Sequence, residues 1–127
     1  MNFKDKQSIY LQIGDYICDN ILLGGWKIGK RIPSIREFAI EIEVNPNTVI
    51  RTYNYLEDLK IITKKRGVGY FVSKNAVKFI SNIKKQIFVK ERLPELFRQM
   101  ELLEISWDEV NEYFSNYKSI NSGVKEE

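Results

Sequence analysis

Asn47, Thr48 and Arg51 recur at separations of one, three and four residues, off the apolar stripe of their own segment. That spacing groups them on one side of a helix. Asparagine carries paired donor and acceptor groups, threonine a hydroxyl and a methyl, and arginine a planar fork of donors. Such groups read base edges in the major groove of duplex DNA or hold its phosphates. Arg36, earlier in the chain, adds a second fork that matches O6 and N7 of guanine. The alternative for Arg36 is a surface arginine paired with Glu37 or Glu41. Lys64, Lys65 and Arg66 crowd a turn that also holds Gly67 and Gly69. Glycine there lets backbone approach a phosphate or the rim of the minor groove, the alternative being a solvated basic turn.

Other chemistries are poorly served. The 127 residues include no histidine, which removes the commonest general base and metal ligand. The single cysteine, Cys18, lies within an apolar helical pattern and reads as a small buried hydrophobe rather than a nucleophile. The sequence GVG at 67–69 lacks the strand–loop–helix setting and the terminal lysine and hydroxyl of a phosphate-cradling loop. Glu101, Glu104, Asp108, Glu109 and Glu112 read as solvated helix faces and a cap. An enzyme, a metal site and a bound cofactor are therefore not expected. Net charge is +3, and residues 1–75 carry 12 Lys and Arg against 8 Asp and Glu, while 76–127 carry 8 against 9. The basic excess sits with the candidate contacts, although it is mild for a nucleic-acid binder. No apolar run approaches the ~20 residues of a membrane span. The polar opening MNFKDKQSIY lacks the apolar run of a signal peptide, so a cytoplasmic location is expected.

The elements that must position these residues follow from periodicity. Ile9, Ile13, Tyr16, Ile17 and Ile21 form the stripe of a first helix, ended at Gly24 and Gly25. Ser34 and Glu37 have the spacing of a capping box after Pro33 and open a short second helix with Ile35, Phe38, Ala39 and Ile42 inward. Residues 31–32, just before it, have the look of a short strand. Asn45 as cap and Pro46 as first residue start a third helix over about 46–58, with Val49, Tyr53, Leu56 and Leu59 inward. Tyr53 and Tyr55 have the chemistry to stack on single strands, but Tyr53 shares the core stripe, and Trp26 and Trp107 read as packing residues. Residues 61–65 and 69–72 read as a hairpin with its tip at KRGVG. Val77, Ile80, Ile83 and Ile87, then Leu93, Leu96, Phe97, Met100 and Leu103, continue as helix, with Pro94 kinking or dividing it. Ser106 and Glu109 box a last helix bearing Trp107, Val110, Tyr113, Phe114 and Tyr117, and the end NSGVKEE reads as frayed. The expected class is mainly α with a small β-hairpin: a winged helix-turn-helix over 1–74 followed by a short C-terminal helical dimerisation region over 75–127.

PSIREFA, VNPNTVIRTYNYLE and RGVGYFV, in this order and spacing, resemble the DNA-binding domain of GntR-type bacterial transcriptional regulators over roughly residues 7–73. VNPNTV with its following aromatic position resembles the YtrA-like branch. The resemblance implies DNA contacts at Arg36, at Asn45, Asn47, Thr48 and Arg51, and on the wing at Arg66, Gly67 and Gly69, beside Lys65 of the basic tip. It also implies a short helical tail used for dimerisation, since the tail is too short for the large effector domains of other branches. Three departures stand out. Ile32 replaces the usual leucine. Thr52 replaces a small residue and would crowd the helix packing. Lys60 stands where a glycine commonly turns the chain into the wing.

The expected function is a sequence-specific double-stranded DNA-binding regulator, a repressor acting as a homodimer on an inverted-repeat operator. The third helix would enter the major groove, with the wing over about 64–70 on the adjacent minor groove or backbone. A winged-helix protein–protein interaction module without a DNA target is the alternative. A small-molecule effector is left open, with no residue cluster marking its site.

Overall fold

The computed structural model describes residues 7–126, with side chains through Asn121. The polar segment 1–6 lies outside the described residues. Two compact units divide the chain, one ending at Lys84 and one beginning at Lys85.

In the first unit, α1 (Ile9–Leu22), α2 (Ile35–Glu41) and α3 (Pro46–Asp58) are followed by the hairpin β1 (Ile62–Lys65) and β2 (Gly69–Val72), and then by α4 (Ala76–Ile87), which runs past the unit's end. The strands pair antiparallel from Ile62 with Val72 to Lys65 with Gly69. The short strand expected at 31–32 exists as a single bridge from Arg31 to Phe71, flanked by Ile32 N–H donating to the Tyr70 carbonyl at 2.9 Å. The segment before α2 is thereby stitched to the wing.

The three-helix core follows the expected stripes closely on α2 and α3. On α1 the stripe is narrower. Ile13, Ile17 and Ile21 are buried, but Ile9 and Tyr16 are 62% and 56% exposed. The buried face instead takes in Cys18 and Gly14, the latter facing Tyr55 and Leu56 of α3. Burial pushes the Cys18 thiol up to about 11, so it stays protonated and inert. Ala76 and Ile80 on the first turns of α4 close the same core.

Tyr53 is the centre of this packing. It is fully buried, stacks on Phe38 at 6.1 Å, meets the Tyr70 ring edge-on at 4.9 Å, and donates its hydroxyl to the Pro33 carbonyl at 2.7 Å. One side chain thus joins α3, α2, the segment before α2 and the wing. Burial pushes its hydroxyl well above the usual tyrosine range. Trp26 packs edge-on against Phe38 as expected for a packing residue, whereas Trp107 is 64% exposed.

Thr52 does not crowd the helices. It is fully buried, and its Oγ1 lies 2.9 Å from the Tyr10 carbonyl and 3.1 Å from that of Thr48. The extra hydroxyl becomes a tie between α3 and α1.

Several helix ends close with a residue in the left-handed conformation, and three of these residues are not glycine: Glu43 (φ 55°), Lys60 (φ 63°) and Glu104 (φ 56°). At Lys60 the following N–H, of Ile61, donates back to the Leu56 carbonyl at 2.9 Å. This is the closure glycine usually provides. The turn into the wing is made without it, at a steric cost to the lysine Cβ. Lys60→Gly is expected to raise the unfolding free energy by about 1 kcal/mol, after the entropy glycine loses on folding. Urea denaturation checks it, and a destabilised variant would mean that the lysine side chain contributes more than its backbone strain costs.

In the second unit, a π-helical turn (Phe88–Arg92) leads into α5 (Leu93–Leu103), and α6 (Trp107–Glu126) follows. Pro94 therefore does not split the chain; it is the second residue of α5, directly after the π turn. It lacks an N–H, and its ring meets the carbonyl four residues back, so the widened turn falls where the conflict arises. Ser106 and Glu109 form the expected box, each accepting the other's backbone N–H, at 3.2 Å and 3.3 Å. The backbone of α6 stays helical to Glu126, through the stretch expected to fray. No helix among the described residues is long and apolar enough to cross a membrane.

Candidate nucleic-acid interface

The start of α3 is built by its cap. Asn45 Oδ1 accepts the Asn47 N–H at 2.8 Å, and Pro46 needs no donor in the first turn. The Asn45 oxygen is committed to the cap, which leaves its amide donors for a partner. Asn47 and Arg51 are exposed and Thr48 is half-buried. These three border one groove of about 370 Å³, together with Ser8, Ile9 and Tyr10 of the α1 start. No carboxylate lines it among the described residues. The Arg51 guanidinium lies over the Tyr10 ring, 3.9 Å from its centroid.

Arg36 projects from the first turn of α2. The Ser34–Glu37 box beneath it is complete: Glu37 N–H donates to Ser34 Oγ at 3.1 Å and Ser34 N–H to Glu37 Oε1 at 2.9 Å. Hydrogen bonding from the Ser34 backbone N–H, and then from its side chain, holds the Glu37 carboxyl below the usual carboxylate range. Glu37 is thus engaged with backbone, and Arg36 is exposed and makes no ion pair among the described residues. The paired-surface alternative for Arg36 is not what the structure shows.

The wing presents Lys65, Arg66 and Gly67 as exposed residues, with Gly69 half-buried. Lys65 Nζ sits 4.4 Å from the Phe71 ring centroid and Lys64 Nζ 5.7 Å from that of Tyr70. Each of these ammonium groups thus rests beside an aromatic ring of β2. Gly69 is required by its backbone conformation, and a side chain there would also make Arg31 shift. The glycine φ is 142°, and a Cβ there would come within 3.0 Å of Arg31 Nε. Arg36 and the wing residues lie outside the α1–α3 groove that gathers Asn47, Thr48 and Arg51.

Four residues around these sites escaped the sequence reading. Ile50 and Asn54 are exposed on the outer face of α3, at three and seven residues beyond Asn47. That periodicity was available to find them, and an isoleucine among polar groups suits a thymine methyl. Arg31 lies against Gly69 through the bridge to β2. Tyr10 gives no local signal, because only the packing of α1 on α3 sets its ring under Arg51.

The profile of bacterial regulatory proteins of the gntR family matches residues 9–72. The HTH-type transcriptional regulator YhcF of Bacillus subtilis is 36% identical over 110 residues, which is 87% of this chain and 89% of that one. The HTH-type transcriptional repressor YtrA of the same organism is 34% identical over 122 residues, 96% of this chain and 91% of that one. A crystal structure of a GntR-family transcriptional regulator from Bacteroides thetaiotaomicron is 42% identical, covers 90% of this chain and 99% of its own, and superposes with a TM-score of 0.78.

Proposed function

Since this chain belongs to the GntR family of bacterial transcriptional regulators, in its YtrA-like branch, and is a DNA-binding winged helix, we propose that it is a repressor that binds an inverted-repeat operator as a homodimer. The reader occupies residues 1–74 and the dimerising tail 75–127, whose first two turns also close the reader's core at Ala76 and Ile80. The α3 helix enters the major groove with Asn47, Thr48 and Arg51, Arg36 adds a base contact from α2, and Asn45 and the wing residues Lys65, Arg66, Gly67 and Gly69 hold the backbone or the minor-groove rim. The related YtrA is named a repressor, which supports the same sign of regulation here. A cytoplasmic location accompanies this role.

The observation that carries the dimer is in the second unit. None of the side chains described from residue 85 to 121 is buried. Yet Phe97, Leu103, Trp107, Phe114 and Tyr117 are there, each between 46% and 64% exposed. Apolar surface on this scale calls for a partner, and a second copy of the tail supplies one with closed symmetry.

Selection of bound duplexes from a random DNA pool tests the reading directly. An enriched inverted repeat, bound by two chains, is expected, and a promoter carrying that repeat should fall in activity when the protein is supplied. Enrichment of one isolated half-site bound by a single chain would remove the dimer; failure to enrich any sequence would remove the operator. On the enriched site, Arg36→Ala is expected to cost about 1–3 kcal/mol and to relax the preference at one base pair in each half-site. A uniform loss on all sequences would instead make Arg36 a phosphate contact.

A further inference from the structure

We propose that Tyr10 is a positioning residue: its ring face holds the Arg51 guanidinium toward a backbone phosphate in the α1–α3 groove, leaving base reading on α3 to Asn47 and its neighbours Ile50 and Asn54. This inference rests on the DNA-binding reading above and assigns a role within it to a residue outside the reader helix.

Tyr10 is held at its ring and at its backbone. The ring packs edge-to-face with Tyr55 at 6.0 Å between centroids and 85° between planes, and the Tyr10 carbonyl accepts the buried Thr52 hydroxyl at 2.9 Å. Both partners lie on α3 within four residues of Arg51. The stack therefore ties Arg51 to a platform that moves with its own helix. A guanidinium stacked through its face keeps its in-plane N–H donors available at the edge. Those donors border the groove that Asn47 and Thr48 also line, where a phosphodiester would find a hydroxyl, an amide and a fork, and no opposing carboxylate among the described residues.

The helical wheel separates this role from base reading. At about 100° per residue, Asn54 lies about 20° from Asn47, while Arg51 falls about 40° toward α1 and Ile50 about 60° toward α2. The buried side chains on the α2 flank include Tyr53, which stacks on Phe38, and the α1 flank carries Thr48 and Tyr55. Tyr10 draws Arg51 further toward α1, off the centre of the outward face. From there it meets the strand backbone before it meets a base edge.

The test compares Tyr10→Leu, Arg51→Ala, their combination and Tyr10→Phe, on the selected operator and an unrelated duplex across a salt series. Arg51→Ala is expected to lower affinity for both duplexes by the same factor and to reduce the slope of log affinity against log salt by about one. Tyr10→Leu is expected to lose about two- to tenfold on both duplexes, to move the slope in the same direction, and to add nothing once Arg51 is alanine. Tyr10→Phe, which keeps the ring face, should restore the wild-type slope. In the free protein, the Arg51 side-chain protons should show an upfield ring-current shift that Tyr10→Leu abolishes. Equal losses from Tyr10→Leu in both Arg51 backgrounds would overturn the proposal, as would a loss confined to the operator. A wild-type protein that shows the ring-current shift but binds no duplex would locate the failure in the DNA reading beneath it, and the phosphate role would fall with that reading. Duplex binding without the shift would locate the failure in the stack.

Discussion

Phe97→Glu combined with Phe114→Glu is expected to yield a monomer in solution and to lower operator affinity by about 10²–10⁴-fold. The two phenylalanines stand on α5 and α6, 46% and 55% exposed in the single chain. In a symmetric dimer each would be covered, so the variant would bury four carboxylates, two from each copy, against apolar surface. The affinity loss follows from linkage. Two readers joined by a dimer bind their half-sites as one event, and the second contact is lost when the join is lost. The core of the first unit draws on residues 13–80 and should fold unchanged. Sedimentation, circular dichroism and operator titration together give the answer. A variant that stays dimeric would place the dimer contact elsewhere. A monomer that keeps full operator affinity would show that one reader suffices.

Tyr53→Ala is expected to destabilise the protein by about 3–5 kcal/mol. The ring is fully buried between Phe38 and Tyr70, and its hydroxyl satisfies the Pro33 carbonyl at 2.7 Å. Removing it opens a cavity and orphans that carbonyl where α2, α3 and the wing meet. A loss of this size is a large share of the ordinary stability of a small domain, so duplex binding should fall with the folded fraction. Tyr53→Phe keeps the packing and removes only the hydroxyl, and should cost about 1 kcal/mol. Urea denaturation of the two variants separates packing from hydrogen bonding. Equal costs for both would mean that the hydroxyl rather than the ring holds the junction.

Much of this molecule was legible from local rules. The capping boxes at Ser34 and Ser106, the Asn45–Pro46 start of α3, and the hairpin around Gly67 and Gly69 each lie within a few residues of chain. Their causes are backbone donors left over at helix ends and the φ freedom of glycine, and both are visible as residue types at fixed spacing. The inward stripes of α2 and α3 were legible for the same reason, since a period near 3.6 is written directly in the order of residues.

What local spacing could not decide were contacts between elements and compensations for broken rules. The wing turn at Lys60 lacks its usual glycine, and only the surrounding packing makes the lysine accept a positive φ of 63°. Thr52 looked like an obstruction until α1 brought the Tyr10 carbonyl to its hydroxyl. Pro94 allowed a kink or a break, and the helix instead took a π turn just before it. Arg36 allowed an ion pair with its neighbours, and the capping box drew Glu37 to the Ser34 backbone. Tyr10 under Arg51 is the clearest case, with 40 residues between two side chains that touch. By itself, the sequence determined the helices, the hairpin and the family to which they belong, because periodicity and caps act within a few residues. The tertiary structure alone decided that Arg51 leans on Tyr10 and Arg31 on the wing, because those contacts depend on surfaces brought together from distant parts of the chain.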